Sequence, residues 1–387
     1  MLPWSQSFAD VRSSPAFSTQ AGSVPHPGIT MNWAMAPQKK KPARSQDEGA
    51  SPATFSFADL FAGIGGMRFA FEAVGGECVL TSEIDEKARL TYEKQEWMRT
   101  SADHKFVDDV VELGKMSKKK IPKFDVLVAG FPCQPYSIAG LRQGMEDEKG
   151  RGQVFLSILD VLEKVRPKAF MLENVKGMLS HDGGKTIDFM HGELARLRRK
   201  KKEIYTVLDP QVLNSMTHGG VPQNRERVFL VGFLKEMDHS KFSWPEPMAL
   251  EMSLPDLLEQ DGVPEKYFYT AEKYDCFKEI EKTVKSYDTA YQWRRVYVRE
   301  NKSGVCPALT ANMGSGGHNV PLVKVKDGIR KLTPEECAKL QGFPDEFVFP
   351  NLADAHLYHQ FGNSVTVPLI KGIAQGIAKV VAKKDAA

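Results

Sequence analysis

Eight residues, Asp59-Leu60-Phe61-Ala62-Gly63-Ile64-Gly65-Gly66, join a predicted strand to a predicted helix. Glycines at such a turn let the backbone bend sharply and approach a ligand. Glu83 stands 20 residues after Gly63, at the end of the next predicted strand, where a carboxylate can hold ribose hydroxyls. Because Arg68 occupies the third position after Gly65, the spacing is not G-x-G-x-x-G. This favours a nucleoside-type cofactor such as S-adenosylmethionine over a dinucleotide; the alternative is a tight turn with packing glycines.

Strand and helix patterns alternate on both sides of this turn. Compact apolar runs predict buried strands, and residues at helical spacing, such as Phe155, Ile158 and Leu162, separate them. This alternation predicts an α/β fold with a doubly wound, mostly parallel sheet that binds ligands at the carboxyl ends of its strands. The predicted strands are 55–61, 78–84, 105–108, 124–129, 169–172 and 228–233.

Composition is that of an ordinary globular protein. The 387 residues fit two domains, 42% of them are hydrophobic, and no apolar run reaches the ~20 residues that span a bilayer. The five cysteines stand far apart without a C-x-x-C pair, so neither a disulfide framework nor a zinc site is indicated. A secretory signal has a basic start followed by an apolar block, and the N-terminus lacks this pattern. An intracellular protein is therefore expected.

The net charge of +3 does not by itself indicate a nucleic-acid binder. Basic side chains are nevertheless concentrated in three runs, at 39–41, 118–120 and 196–202. Such runs can hold phosphates. A solvated helix end or loop is an equal alternative for each.

Changes in pattern divide the chain into segments. The first is rich in Ser, Pro, Ala, Gly and Lys and lacks an apolar period, which predicts disorder. The later, irregular segment predicts a smaller second domain. The predicted segments are 1–52, a disordered extension; 53–240, the cofactor-binding domain; 241–327, a target-recognition domain; 328–350, a hinge; and 351–387, a return to the first domain.

Two local patterns stand in the second half of the chain. Gly314-Ser315-Gly316-Gly317 predicts a flexible loop. Thr333-Pro334-Glu335-Glu336 predicts a helix start, with Thr as N-cap, Pro in the first turn and Glu at the third position.

Cys133 is the candidate nucleophile. It follows the strand pattern at 124–129, in the segment Gly130-Phe131-Pro132-Cys133-Gln134-Pro135, at the edge where ligands bind. A cysteine within an apolar strand is usually an inert core residue. This one stands past the strand between two prolines, which favours a positioned and accessible thiol.

Four motifs follow one another in a fixed order and together resemble the motif set of the cytosine-5 DNA methyltransferases of bacterial restriction-modification type. The resemblance runs from about Phe57 to about Ile377. It implies the fold of the S-adenosylmethionine-dependent methyltransferases, that cofactor, and no metal. The motifs are Gly-Phe-Pro-Cys-Gln-Pro-Tyr-Ser at 130–137, Glu-Asn-Val at 173–175, Gln-Asn-Arg-Glu-Arg at 223–227 and Gln-Phe-Gly-Asn-Ser-Val at 360–365.

Methylation at cytosine C5 needs an activated ring, and a thiolate added to C6 makes C5 able to attack a methyl group. The resemblance implies that Cys133 is this nucleophile and that Glu173 protonates or hydrogen-bonds N3. Arg225 and Arg227 alternate along an extended segment, so both can face one way; in the family such arginines hold O2 of the base and order the site, and Arg227 is preferred. A surface ion pair with Glu226 is the alternative for the arginines, and a buried or capping carboxylate for Glu173.

The resemblance also implies a set of cofactor contacts around the glycine turn. Ile84 stands where the family often has Trp, so stacking on the adenine is weaker there or is supplied by Phe61. A helix cap is the alternative role for Asp109. The predicted cofactor residues are Phe61 near the adenine, Gly63 and Gly65 in the turn, Glu83 on the ribose, Ile84, Asp109 at the adenine edge, Pro132, and Asn363 around the methionine part.

A cytosine within duplex DNA hides C5 and C6, so the base must be flipped out of the stack, and 138–145 is a predicted closing lid. Within 241–327, residues 291–301 mix aromatic and basic side chains, and 310–319 resembles bacterial recognition loops, with Ala308 in place of a common Thr. A small packing domain is the alternative. The segment is similar to those that read CC-containing palindromes such as CCGG or CCNGG. The predicted DNA contacts are Gln134, Ser137, Arg151, Arg294, Arg295, Arg299, Gly316 and Gly317.

The expected partners are double-stranded DNA and a cognate restriction endonuclease without a stable complex. The resemblance implies a monomer in a bacterial or archaeal cytoplasm, associated with the nucleoid and not with a membrane. Three alternatives are a tRNA cytosine-5 methyltransferase, a non-catalytic DNA-binding repressor, and an enzyme that methylates adenine or cytosine N4. The repressor would lack Cys133 or Glu173, and the last would need an Asp/Asn-Pro-Pro-aromatic segment.

Overall fold

Extended segments organise the part of the chain that this computed structural model describes, residues 53–95, 104–132, 151–301, 303–315 and 319–383. Of residues 151 and 152 only the backbone is described. The strands are β1 (Phe55–Leu60), β2 (Gly76–Ser82), β3 (Lys105–Val107), β4 (Val126–Gly130), β5 (Ala169–Val175), β6 (Arg198–Arg199), β7 (Lys202–Glu203), β8 (Tyr205–Val207), β9 (Gln211–Asn214), β10 (Gln223–Asn224), β11 (Glu226–Leu234), β12 (Tyr291–Trp293), β13 (Val298–Glu300), β14 (Cys306–Pro307), β15 (Leu322–Val325) and β16 (Gly328–Lys331).

Helices connect most of the long strands. The α-helices are α1 (Gly66–Glu72), α2 (Glu86–Glu93), α3 (Val110–Lys115), α4 (Arg151–Val165), α5 (Lys185–Arg196), α6 (Ser215–His218), α7 (Phe277–Thr283), α8 (Pro334–Leu340), α9 (Asp354–Asn363) and α10 (Val367–Val381). Short 3₁₀ helices occupy Lys118–Lys120, Lys176–Leu179, His181–Gly184, Pro255–Leu257, Glu265–Tyr267 and Ala311–Gly314.

The main sheet has the strand order β3-β2-β1-β4-β5-β11-β8, and β9 also pairs with β11. The first five of these strands are parallel, whereas β11 is antiparallel to β5 and to β8. The predicted α/β fold with a mostly parallel sheet is therefore confirmed. The carboxyl ends of β1, β2, β4 and β5 lie at one edge of this sheet, here called the catalytic edge.

Helices cover both faces of the sheet. On one face, α1 and α10 pack over β1 and β5 through residues such as Met67 and Ile373. On the other face, α3, α4 and α5 pack through residues such as Leu113, Phe155 and Leu194. Strands buried on both faces are nearly continuous apolar runs, which explains why they could be located from sequence.

The segment Asp354–Val381 is long and apolar enough to cross a membrane by length and composition. In the structure it consists of α9 and α10 with a break between them, and its apolar residues lie in the core that covers the sheet. The segment is therefore accounted for as a pair of core helices.

A second, smaller sheet has the order β13-β12-β15-β16 and its own apolar cluster, which includes Ile280, Tyr291 and Leu322. The predicted start of α8 is confirmed: Thr333 and Glu336 form a capping box. The prediction of a flexible loop that begins at Gly314 is wrong for Gly314 itself. This residue ends a 3₁₀ helix and lies so close to α9 that a β-carbon would collide with the carbonyl of Ala355.

Candidate active site

The glycine turn at the end of β1 is closed by a carboxylate. Phe61, Gly63 and Gly65 all have positive φ, at 58°, 57° and 88°, and the two glycines adopt this conformation without a steric cost. Glu83 Oε2 accepts a hydrogen bond of 2.7 Å from the amide of Gly63, and Oε1 accepts one of 2.8 Å from Asp85. Burial raises the pKa of Glu83, and these two amides oppose the shift.

The residues at this turn fit a nucleoside-type cofactor. A β-carbon added at Gly63 would meet nothing within 4 Å, so the turn has an open side. Ile84 is 66% exposed and leaves an apolar surface beside Glu83. A cofactor of this kind needs accessible backbone for close contact, a carboxylate for its ribose and an apolar surface for its adenine. The turn offers all three.

Two other predicted cofactor residues have local partners. Asp109 caps α3, with its carboxylate accepting a hydrogen bond of 2.8 Å from the amide of Val111. This is the alternative role considered for it. Asn363, at the end of α9, lies with Nδ2 3.1 Å from Nε2 of His359. His359 in turn lines a cleft between the starts of α2 and α9, and Asp85, which follows Ile84 in the chain, lines the same cleft.

Next to the glycine turn lies an acid to which the sequence motifs assign no role. Asp59 is fully buried on β1, and within the described part of the chain neither carboxylate oxygen has a hydrogen-bond partner. Burial raises the pKa of Asp59 to about 8, although the nearby Arg68 opposes the shift. The sequence feature that could have identified Asp59 is an acidic residue within an otherwise apolar strand pattern.

Glu173 and Arg227 meet at the catalytic edge. Glu173 Oε1 lies 3.0 Å from Arg227 Nε, and their side chains are only 10% and 14% exposed. The backbone of Gly130 pairs with Glu173 at the end of β4, and a β-carbon there would lie 3.5 Å from Glu173 Oε2. The carboxylate therefore lies beside the strand end that leads to Pro132.

Asn174 ties the two strand ends together. Its Nδ2 donates a hydrogen bond of 3.0 Å to the carbonyl of Phe131, and its Oδ1 accepts one of 2.9 Å from Val175. Asn174 is 4% exposed. It thus fixes the backbone one residue before Pro132, a role that the motif Glu-Asn-Val did not reveal.

Arg225 faces away from this pair. Its guanidinium donates to the carbonyls of Leu309, Gly362 and Ser364, at 2.6, 3.2 and 2.5 Å. Burial, together with the charge of Arg227, holds the pKa of Arg225 well below its usual range. The expectation that both arginines face one way is not met, because Arg225 lies between β10 and β11, where strand alternation is broken.

Three of the four predicted DNA-contacting arginines lie on one hairpin. Arg294 and Arg295 form the turn between β12 and β13, Arg299 lies on β13, and all three are exposed. The same turn carries Val296 and Tyr297, which are 79% and 55% exposed. Cys133, Gln134, Ser137, Gly316, Gly317, the lid 138–145 and the side chain of Arg151 lie outside the described residues.

Residues 55–379 match the family model of the C-5 cytosine-specific DNA methylases. The chain is 43% identical to the Type II methyltransferase M.Bsp6I of Bacillus sp. (strain RFL6), over 83% of this chain and 98% of that relative. It is 38% identical to M.HpaII of Haemophilus parainfluenzae, over 84% and 89%. The crystal structure of S. pombe Dnmt2 methyltransferase has a TM-score of 0.62 at 18% identity, over 84% of this chain and 98% of that one, which supports the fold.

Proposed function

The chain belongs to the C-5 cytosine-specific DNA methylases, and we propose that it acts on a flipped cytosine through a covalent bond between Cys133 and C6. The family resemblance drawn from the four motifs is confirmed. The protein is an S-adenosylmethionine-dependent DNA (cytosine-5-)-methyltransferase of the Type II kind. This confirms the predicted enzyme class and the predicted cofactor.

The observation that carries the proposed mechanism is the position of Glu173. Its carboxylate lies against Arg227 and beside Gly130, three residues before Cys133. Two rigid neighbouring strands therefore bring the acid to the segment that carries the thiol. An acid and a nucleophile held together in this way can act on one small ring at the same time.

The bound cofactor supplies an electrophilic methyl group on a sulfonium. Its contacts would come from the open turn at Gly63, from Glu83 and from the surface of Ile84. We assign Phe61, Gly65, Asp109, Pro132 and Asn363 to the same binding site on the strength of the family motifs. The hydrogen bond from Gly63 to Glu83 holds the carboxylate in place for ribose hydroxyls.

The chain's own groups prepare the cytosine. The thiol of Cys133 passes its proton to water, and the carboxylate of Glu173 takes one up from water as the base binds. The thiolate then adds to C6 while Glu173 gives its proton to N3, so the electron pair of the ring becomes available at C5. Arg227 keeps the carboxylate of Glu173 in one orientation. After C5 has accepted the methyl group, its proton leaves to water, the C6–S bond breaks, and Glu173 recovers the proton from N3. Ring, thiolate and acid are then restored.

Access to C6 requires base flipping, which costs a few kcal/mol. We propose that 138–145 closes over the flipped base and that Gln134, Ser137 and Arg151 contact the DNA near it. The exposed arginines of the β12–β13 turn, with Gly316 and Gly317, would read the duplex. Val296 and Tyr297 at this turn add apolar surface suited to base edges or methyl groups.

The biological setting follows from the relatives, which are named Type II methyltransferases. We propose that the enzyme protects DNA from a cognate endonuclease as a monomer in the cytoplasm. Arg225 is assigned a positioning role, because it joins Leu309 of the recognition segment to the Gly362–Ser364 turn.

Bisulfite sequencing tests this function and reveals the target. The wild-type chain is expressed in a bacterial host without cytosine-5 methylation, and both plasmid DNA and total tRNA are sequenced. We expect protected cytosines at one short site in the plasmid and none in tRNA. Protection confined to tRNA, or absent from both, would contradict the proposal.

A further inference from the structure

The edge of the sheet opposite the catalytic edge is strongly basic. Three segments that precede strand starts lie there: 118–125 before β4, 163–168 before β5, and 193–203 before β8. Together they carry thirteen basic and four acidic side chains, although the net charge of the whole chain is only +3. We call these three segments the basic edge.

Ion pairs join parts of the basic edge. Lys168 pairs with Asp125 at 3.0 Å, which links the segments before β5 and β4. Lys235, which follows β11, pairs with Glu203 at 2.8 Å. Arg196 pairs with Glu193 at 3.0 Å, and Arg166 pairs with Glu236, outside the edge, at 3.5 Å. Because basic side chains outnumber acidic ones by thirteen to four, most of the positive charge of the edge is still not offset within it.

The most basic part is the hairpin formed by β6 and β7. Its turn consists of Lys200 and Lys201, both left-handed, with φ of 47° and 70°. Such a turn normally prefers Asn and Gly. All five residues from Arg198 to Lys202 are exposed. The chain thus places lysines at two positions where a neutral pair would suit the backbone better.

This surface lies at the far end of the strands from the active site. Strands β4 and β5 have five and seven residues, so the two edges are separated by ~17–23 Å at about 3.3 Å per residue. The large hydrophobic side chains exposed in the described part of the chain (Ile84, Leu90, Met248, Tyr287, Val296, Tyr297 and Val348) all lie outside the basic edge. A charged surface without apolar anchors suits a polyanion better than a folded protein or a bilayer.

We propose that the basic edge is a second, sequence-independent DNA-binding surface, which holds the phosphate backbone of another duplex while the first occupies the active site. This proposal rests on the activity on DNA but not on the mechanism at Cys133. On long DNA, the second duplex is a distant segment of the same molecule. Contact with it would let the enzyme pass between segments without free diffusion.

A capture assay tests the proposal. The enzyme is bound to a short immobilised duplex with the target site found by bisulfite sequencing, and a labelled duplex without the site is then added. The test variant combines K200N and K201G, which suit the turn, with R199Q and K202Q. The control variant, R199K with K200R, K201R and K202R, keeps every charge.

The wild type and the charge-conserving control are expected to capture the second duplex. The neutral variant should capture the second duplex at least ~10-fold more weakly. The slope of log K for this capture against log salt concentration should be smaller by about 3–4, since each phosphate contact contributes roughly 0.9. Methylation of the short duplex should stay within twofold in all three proteins.

Two results would overturn the proposal: unchanged capture by the neutral variant, or a parallel loss of methylation on the short duplex, which would place the hairpin on the first DNA. Hairpin-dependent binding to anionic vesicles without capture of DNA would also overturn it. A wild type that methylates no DNA would instead refute the proposed function.

Discussion

Arg227 Nε lies 3.0 Å from Glu173 Oε1, across the antiparallel pair of β5 and β11. Arg227 pairs in register with Val175, two residues beyond Glu173, so the ion pair runs diagonally between neighbouring strands. Because both backbones are held by ladder hydrogen bonds, the carboxylate has little freedom to reorient. The acid is therefore already oriented in the protein without DNA.

Replacing the acid by its amide tests its chemical role. Glu173→Gln keeps the size of the side chain but cannot donate a proton to N3, so single-turnover methylation should fall by ~10²–10⁴-fold. Binding of duplex and cofactor should change little. Glu226→Gln is the matched control, since Glu226 begins β11 and pairs with the exposed Lys176; it should methylate normally. A Glu173→Gln enzyme within threefold of wild type would remove the acid from the mechanism.

Substitution of Arg225 should mainly lower the stability of the protein, whereas substitution of Arg227 should mainly lower the methylation rate. Arg225→Met removes the side-chain donor from the carbonyls of Leu309 and Gly362 and leaves that of Ser364 only the 3.3 Å bond from Gln341, and each buried unsatisfied group costs ~1–3 kcal/mol. Urea unfolding should therefore show a loss of ~3 kcal/mol or more. Arg227→Met should unfold closer to wild type but methylate far more slowly. Equal stability of the two variants would contradict this division of roles.

Asn174 is expected to act through the position of Cys133. Asn174→Ala removes the hydrogen bond to the carbonyl of Phe131, so the thiol segment loses a fixed point next to Pro132. A displacement of about 1 Å can cost ~10²-fold in rate, and we expect turnover to fall ~10–100-fold with little change in DNA affinity. The alkylation rate of Cys133, followed by mass spectrometry, should change as well. Unaltered turnover would show that the hydrogen bond is not needed.

Asp59 should make the protein less stable as pH rises from about 4 to about 8. In the unfolded chain its carboxyl loses the proton near pH 4, whereas burial raises the pKa to about 8 in the folded protein. Folding therefore takes up a proton between these values, and stability falls as pH rises through this window. Asp59→Asn removes the effect, worth about 1.4 kcal/mol for each pH unit. Thermal unfolding should show that the stability of the variant relative to wild type is greater at pH 9 than at pH 6. An equal difference in stability at the two pH values would contradict the assignment.

The sheet could be predicted because its strands are buried on both faces. Strand ends were harder: β5 continues through Glu173 and Asn174 to Val175, since pairing with β11 holds polar residues in the strand. Apolar periodicity cannot detect such residues, so the predicted strand stopped at Leu172. The order of the motifs, by contrast, located Glu173 without any knowledge of the sheet.

Other features depend on contacts between distant parts of the chain. The carbonyls that accept hydrogen bonds from Arg225 lie at Leu309, Gly362 and Ser364, which no local pattern connects to it. Asn174 reaches Phe131 across 43 residues. The basic edge likewise exists only because the topology brings strand starts together. A sequence pattern identifies such residues, whereas the fold gives them their partners.

A target duplex with 5-fluorocytosine shows whether Cys133 forms a covalent bond to the base. Fluorine at C5 leaves no proton to remove after methyl transfer, so the thioether to C6 should persist. Intact-mass measurement is expected to show wild-type protein heavier by one methylated strand, with the link mapped to Cys133, and Cys133→Ala without any adduct. An adduct at another cysteine, or methylation of ordinary DNA by Cys133→Ala, would contradict covalent catalysis by Cys133.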